Sequence, residues 1–318
     1  VRPAPSASDL PTELDPRPPA RPEPAAVHSH TVFEGVHSHL GIQYAAPPGF
    51  RPLVLDLHVP ARNDDRPLPV VVYAHGGGFF TGTRAMGPWV FLLAAGFAVA
   101  SVDYRLSGEC RFPGPVQDVA AAVRWIRANA GGHGLDPDRI GGFGSSAGGY
   151  LLSAVGLAAH DPALVGNLGP TPEVSCRLGA VVDHYAPVDF LTIDQDAPPD
   201  VIELSDRPGS SASRFLGFVP SSMPAKASLA DLTRYASPAS PPFLIAHGDA
   251  DRRVGVEQSR RLHTALRRFG VRAELVVIRG ADHGAPEFDQ PALHNKTLAF
   301  LRSALTSPMS TPAQEKRV

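Results

Sequence analysis

Residues 140–157 read IGGFGSSAGGYLLSAVGL, and their reading decides the fold. Ile140 to Ser145 is a short apolar run of strand length, and Ala147 to Leu157 is apolar nearly all round, as a helix covered by protein would be. Between them Gly144-Ser145-Ser146-Ala147-Gly148 forms G-x-S-x-G. The two glycines allow a turn too tight for a Cβ, so the central hydroxyl stands at the end of a sheet strand. The same turn puts Ser146 at a helix amino terminus, where the peptide dipoles favour negative charge. The five-residue pattern alone is weak, since chance supplies about 0.2 matches in a chain of this composition. A strand on one side and an apolar helix on the other give it weight.

Outward from that stretch the rhythm repeats. Leu53–Val59 alternates apolar and polar residues, as a strand open on one face does. Val70–His75, Phe97–Asp103, Ala180–Tyr185, Phe243–His247 and Ala273–Ile278 are further apolar runs of strand length. Near-continuous apolar strands predict a parallel sheet covered on both faces. Asp118–Ala130 and Glu257–Phe269 carry apolar residues at helical spacing between those strands. Alternating strand and helix predict a doubly wound α/β fold. Asp189 to about Tyr235 breaks the alternation; rich in Ser, Pro and Asp, it reads as a long connection covering a site.

Three more clusters fall just after predicted strands, where sites gather in open α/β sheets. His75-Gly76-Gly77-Gly78-Phe79 offers consecutive glycines whose N–H groups can turn toward a developing oxyanion. His247-Gly248-Asp249-Ala250-Asp251 and Ala281-Asp282-His283-Gly284 supply an acid and a base. A serine nucleophile needs a base, and the base needs a carboxylate to fix its tautomer. Ser146, Asp251 and His283 occur in the chain order Ser…Asp…His of α/β-hydrolases. Asp249 reads as a turn residue, with the acid's role as its alternative. Asp118, Asp183 and Asp189 read as caps and loop anchors.

These motifs together resemble the α/β-hydrolase esterases with an HGGG motif, in the hormone-sensitive-lipase-like clan. The nearer likeness is to small acetylxylan/feruloyl-type esterases without a large cap. It runs from about Val36 to Leu305 and rests on YAHGGGF (73–79), DVAAAVRWIRANA (118–130), DPDRIGGFGSSAGGY (136–150), PPFLIAHGDADRRV (241–254) and GADHG (280–284). The resemblance implies a mostly parallel sheet of about eight strands with helices on both faces. It also implies Ser146 as nucleophile, Asp251 as orienting acid, His283 as base, and the N–H groups of Gly77, Gly78 and Ala147 as oxyanion hole. The bare Pro-rich start of the chain departs from the family pattern. Phe79, Phe80, Trp89 and Tyr185 are candidate pocket residues, with ordinary core packing as the alternative.

The expected activity is hydrolysis of short-chain acyl esters, of acetylated or feruloylated carbohydrate among others, through an acyl-enzyme. The alternatives are an amidase or peptidase of the prolyl-oligopeptidase type and a ligand receptor on the same fold. The triple glycine and the lack of a propeller argue against the first, and the presence of all three triad residue types argues against the second. No cofactor and no metal are expected. His28-Ser-His30 and His37-Ser-His39 lack acidic or Cys partners and read as surface histidines. Two cysteines exclude a disulfide framework; Cys110 and Cys176 fall at opposite ends of the predicted sheet and are expected to be free thiols.

A formal net charge of −2 provides no field for nucleic acid or an anionic membrane, so the expected partner is a small-molecule ester. No run reaches the roughly 18 apolar residues of a spanning helix, and no basic-then-apolar leader opens the chain. The expected location is cytoplasmic, or secreted with a signal already removed. The sequence sets no oligomeric state. Its 34 prolines are roughly twice the usual share and crowd residues 1–26, which read as a flexible tail. Residues 27–306 read as one domain, with 189–235 inserted over the site and 307–318 as a second tail.

Overall fold

The computed structural model describes residues 33–62, 64 and 66–306. The Pro-rich stretch 1–26, the His28-Ser-His30 pair and residues 307–318 lie outside the described residues. Eight strands form one sheet: β1 (Val36–Ala45), β2 (Leu53–Pro60), β3 (Leu68–Ala74), β4 (Ala98–Val102), β5 (Leu135–Ser145), β6 (Ala180–His184), β7 (Phe243–Gly248) and β8 (Ala273–Ile278). Their order across the sheet is β1-β2-β4-β3-β5-β6-β7-β8. β1 and β2 pair antiparallel, as do β2 and β4, and every other neighbouring pair is parallel. The described helices are α1 (Val90–Ala94), α2 (Gly114–Asn129), α3 (Ala147–Leu157), α4 (Pro162–Val165), α5 (Ser211–Leu216), α6 (Pro224–Ala227), α7 (Glu257–Arg268) and α8 (Pro291–Ala304).

The two-residue period of a strand divides the core. Val70, Val72 and Ala74 of β3 face one side and pack with Val119 and Val123 of α2, Leu151 and Val155 of α3, and Leu262 and Leu266 of α7. Val71 and Tyr73 face the other side and pack with Leu92 and Leu93 of α1 and Phe300 and Leu301 of α8. β3 and β5 are thus buried on both faces, which is why their sequences are apolar without alternation. Asp118 of α2 is buried and takes the backbone N–H and guanidinium of Arg105, fixing the chain after β4 to α2.

The topology sets the place of the site. From β3 the chain crosses to β4 on one side and then to β5 on the other, so the connections leaving β3 and β5 diverge at their carboxyl ends. Such a switch point opens a crevice in a parallel sheet. Ala74 pairs with Gly144 at the last register of the two strands, so His75–Phe79 and Ser146 emerge side by side.

Three elements differ from expectation. β1 and α8 have no counterpart in the apolar runs. β1 is an edge strand that exposes His37 and His39, so its polar residues mask it. The segment 189–235 carries two short α-helices, α5 and α6, and three 3₁₀ turns (Pro220–Ser222, Ser228–Ala230, Leu232–Tyr235). Ser210 and Asp231 cap two of these with side-chain oxygens, a local bonding mode that Ser- and Asp-rich sequence favours. Cys110 and Cys176 are both free thiols.

Candidate active site

Ser146 sits between β5 and α3 with φ 53° and ψ −119°, outside the regions ordinary residues favour. Its surroundings hold it there. Its N–H donates to the carbonyl of His184 at 2.7 Å, and its own carbonyl takes the N–H of Tyr150 at 3.0 Å. A Cβ at Gly144 would overlap the carbonyl of Gly148, and one at Gly148 would overlap the carbonyl of Ala74. Both flanking glycines are therefore required by close backbone approach.

Two further loops bring partners to this hydroxyl. His283, after β8, has Nε2 at 2.9 Å from Ser146 Oγ, and its Nδ1 lies 2.7 Å from Asp251 Oδ2. Asp251, after β7, accepts the N–H groups of Arg253 and Val254 on Oδ1. An Nδ1–H donating to the carboxylate leaves Nε2 as an acceptor facing the serine hydroxyl. Asp282 links the two loops: it takes the backbone N–H of Arg252 at 2.9 Å and pairs with that arginine's guanidinium.

Asp251 is 2% exposed. Burial alone would raise its pKa; hydrogen bonds from His247 and His283 outweigh that and hold the carboxyl well below the usual range. His247 is the partner that sequence reading passed over. Fully buried, it takes Ser259 Oγ–H on Nδ1 at 2.6 Å and donates from Nε2 to the carbonyl of Val254 at 2.7 Å. The same Nε2 lies 3.2 Å from Asp251 Oδ2. The sequence shows only a histidine closing an apolar strand four residues before Asp251, which does not by itself reveal this contact. Asp249 stands apart, exposed, with Oδ1 accepting the N–H of Gly280.

The HGGG loop lies against this group. A Cβ at Gly76 would stand 3.0 Å from the carbonyl of Ser145. Gly77 and Gly78 have φ of 121° and 59°, values open to glycine. Among the described residues, the N–H groups of Gly77, Gly78 and Ala147 donate to no other protein group. Tyr104 Oη–H donates to the carbonyl of His75 at 2.9 Å and ties the loop to the chain after β4.

Gly76, Gly77, Gly78, Ser146, Ala147 and His283 line a cleft of about 540 Å³. Phe79, Phe80 and Tyr185 border it; Trp89 does not. Trp89 instead stacks on His58, with ring centroids 4.8 Å apart, beside β2. Its position in an apolar run before α1 suited core packing, and that is where it lies. Phe79 has φ 66° and stacks on Phe215 at 3.9 Å. Tyr185, with φ 45°, sets its ring edge-on to His283 at 4.7 Å. Phe190, Ile193, Glu203, Ser205, Ser211 and Arg253 also border the cleft and were not singled out from sequence. All but Arg253 belong to the segment 189–235.

His184 lies behind the turn between β5 and α3, fully buried among Phe143, Tyr185 and Phe288, with neither ring nitrogen hydrogen-bonded. Burial, with a smaller contribution from His294, lowers its pKa to about 3. Between that value and the ordinary one of about 6.5, the unfolded chain binds a proton that the folded chain refuses. Stability therefore falls as pH falls through this window. Asp183, pushed by burial up to about 6, acts in the opposite sense, because there the folded chain takes the proton first. Comparing wild type with His184→Phe removes that shared contribution. The variant should melt at higher temperature than wild type at pH 5, with the gap narrowing toward pH 7. The difference should change by up to about 1.4 kcal/mol per pH unit; a gap independent of pH would contradict this.

The family model described as BD-FAE matches residues 55–266. Esterase LipC of Mycobacterium tuberculosis (strain ATCC 25618 / H37Rv) is 31% identical over 232 residues, covering 69% of this chain and 53% of the relative. The chain spans about half the length of the first curated relatives it matches. Among solved structures, a truncated form of a carbohydrate esterase from gut microbiota superposes with a TM-score of 0.77 at 26% identity, over 89% of this chain and 99% of that one. An acetyl ester-xyloside bifunctional hydrolase from Caldicellulosiruptor lactoaceticus gives 0.68 at 25% identity, over 83% and 95%. The architecture is the α/β-hydrolase fold.

Proposed function

The chain belongs to the BD-FAE family, and on that premise we propose that it is a serine carboxylic-ester hydrolase working through an acyl-enzyme. The observation that carries this reading is the hydrogen-bonded row Ser146–His283–Asp251 at 2.9 and 2.7 Å. His283 Nε2 takes the proton of Ser146 as Oγ attacks the acyl carbon, and Asp251 stabilises the imidazolium that forms. The N–H groups of Gly77, Gly78 and Ala147 receive the tetrahedral oxyanion. His283 then returns the proton to the departing alcohol, and water repeats the sequence on the acyl-serine. The names of the esterase relatives support the reaction class.

The acyl group is small and the alcohol is a sugar. Two structural neighbours named for carbohydrate esters support the second half. For the first, segment 189–235 covers the cleft with short turns, and Phe190 stands against the stacked Phe79–Phe215 pair. We read that aromatic cluster as the wall that ends the acyl side of the cleft. Each buried methylene would contribute at most about 0.8 kcal/mol, a gain that chains extending past this wall would forfeit.

On p-nitrophenyl esters from two to twelve carbons, turnover should be highest between acetate and butyrate. It should be at least about tenfold lower at ten carbons and beyond, which corresponds to about 1.4 kcal/mol of lost transition-state binding. Acetate should also be released from acetylated xylan. Faster turnover of the ten-carbon ester would exclude the short acyl pocket, and no turnover of any ester would exclude the reaction.

A further inference from the structure

Beyond Phe80 the surface opens into a second recess of about 570 Å³. Phe80 borders both this recess and the cleft. The recess is also tied to the oxyanion loop, because Ser107 on its wall donates its N–H to the carbonyl of Phe79 at 2.7 Å. An ester with its acyl carbon at Ser146 Oγ and its alcohol part extending past Phe80 would reach it.

Two guanidiniums dominate its chemistry. Arg111 and Arg214 both line it, and no Asp or Glu does among the described residues. Other exposed arginines are paired, Arg51 with Glu109, Arg252 with Asp282 and Arg261 with Asp196, while Arg253 at the cleft is not among the described ion pairs. Arg111 and Arg214 have no carboxylate within ion-pair distance among the described residues. Arg214 is held in place, and Arg111 packs against the backbone of Gly217. Arg214 donates from Nε to the carbonyl of Gly209 at 2.8 Å and sits over the Phe80 ring, 5.1 Å from its centroid. The Arg111 side chain occupies the space that a Cβ at Gly217 would need, where φ is 88°. Guanidiniums with free N–H groups match a carboxylate's two oxygens.

We infer that the Arg111–Arg214 recess beside Phe80 is a subsite for a carboxylate on the alcohol part of the substrate. The preferred esters are therefore those of acidic glycans, with a uronate close to the acylated hydroxyl. This rests on the ester-hydrolase reading above and narrows it to a substrate class.

The test compares two pools of acetylated xylo-oligosaccharides, one with uronate branches and one with the branches removed. Wild type should release acetate from the acidic pool with kcat/KM about tenfold higher at low salt, chiefly through KM, the scale expected of two partly exposed ion pairs. The preference should shrink in about 0.5 M NaCl. In Arg111→Gln/Arg214→Gln the ratio between pools should fall to near one. Arg111→Gln alone keeps the Arg214–Phe80 contact and should lower the ratio part of the way. Equal rates on the two pools in wild type, or a ratio unchanged in the double variant, would overturn the subsite.

Calorimetric titration with a deacetylated uronate-bearing xylo-oligosaccharide separates this from failure of the hydrolase reading. If wild type hydrolyses no ester, binding that is lost in the double variant still supports the recess, and no binding overturns it. Competition by inorganic phosphate as strong as by the oligosaccharide would mark a general anion patch and would also overturn the proposal.

Discussion

Ser146→Ala should lower ester hydrolysis by a factor on the order of 10⁶, the scale seen when a triad serine is removed from an enzyme whose residues act as a unit. The fold should survive, because nothing in the turn depends on the hydroxyl. The positive φ is imposed by backbone: the N–H of residue 146 bonds to the His184 carbonyl and Gly148 lies against the Ala74 carbonyl. Relief of a strained side chain should, if anything, raise the melting temperature. Ser145→Ala serves as the control. Ser145 also borders the cleft, but it is 6% exposed and its hydroxyl faces Tyr73 Oη at 3.5 Å, whereas the hydroxyl that meets His283 is that of Ser146. Loss of the Ser145 hydroxyl should leave most of the rate. A rate assay on p-nitrophenyl acetate with a thermal melt of each variant checks both halves.

Asp251→Asn should lower kcat by about 10⁴. The wild-type carboxylate spends Oδ1 on two loop N–H groups and offers Oδ2 to His283. An asparagine that keeps its carbonyl oxygen on the loop must turn its NH₂ toward His283 Nδ1. The imidazole then accepts on Nδ1 and carries its proton on Nε2, where it can no longer take the proton of Ser146. The NH₂ would also confront the Nε2–H of His247 across a contact that is 3.2 Å in wild type, so some loss of stability should accompany the loss of rate. Asp249→Asn should change kcat far less, since that side chain only accepts from Gly280. Equal losses in the two variants would contradict the assignment of the acid.

Much of this was legible in the sequence because the buried parallel strands and the sharp turns leave local marks. The apolar runs at β3, β5, β6, β7 and β8 need no partner to be seen, and a glycine forced by backbone approach is visible as G-x-S-x-G. The helix expected over Ala147–Leu157 matches α3. β1 was hidden because an edge strand needs only one apolar face, and its VHSHLGIQYA spends the other on water. The crossing of β4 and β5 to opposite sides of β3 is a property of pairing at long range, so no window of sequence carries it. Segment 189–235 misled in detail for a related reason: its turns are short and depend on tertiary support, such as the bond from Leu232 N–H to the carbonyl of Val188. Composition could suggest that the segment covers a site, but not that Phe190 and Glu203 would line it.

The role of His247 was likewise out of reach. The motif HGDAD displays the residue, yet the contact that matters is to Ser259 on α7 and to the acid itself, and both depend on how the loop after β7 folds back. Trp89 shows the limit of residue type as a guide. A large aromatic residue near a glycine-rich loop suits a pocket, but α1 turns it toward β2 and the stack with His58.

The proposed nucleophile is one hydroxyl, that of Ser146 at the turn between β5 and α3. Wild-type protein treated with a fluorophosphonate, digested and mapped by tandem mass spectrometry tests it most directly. A single phosphonylated residue, Ser146, is expected, with no labelling of Ser146→Ala. An adduct on Ser145, or equal labelling of the wild type and the alanine variant, would contradict it.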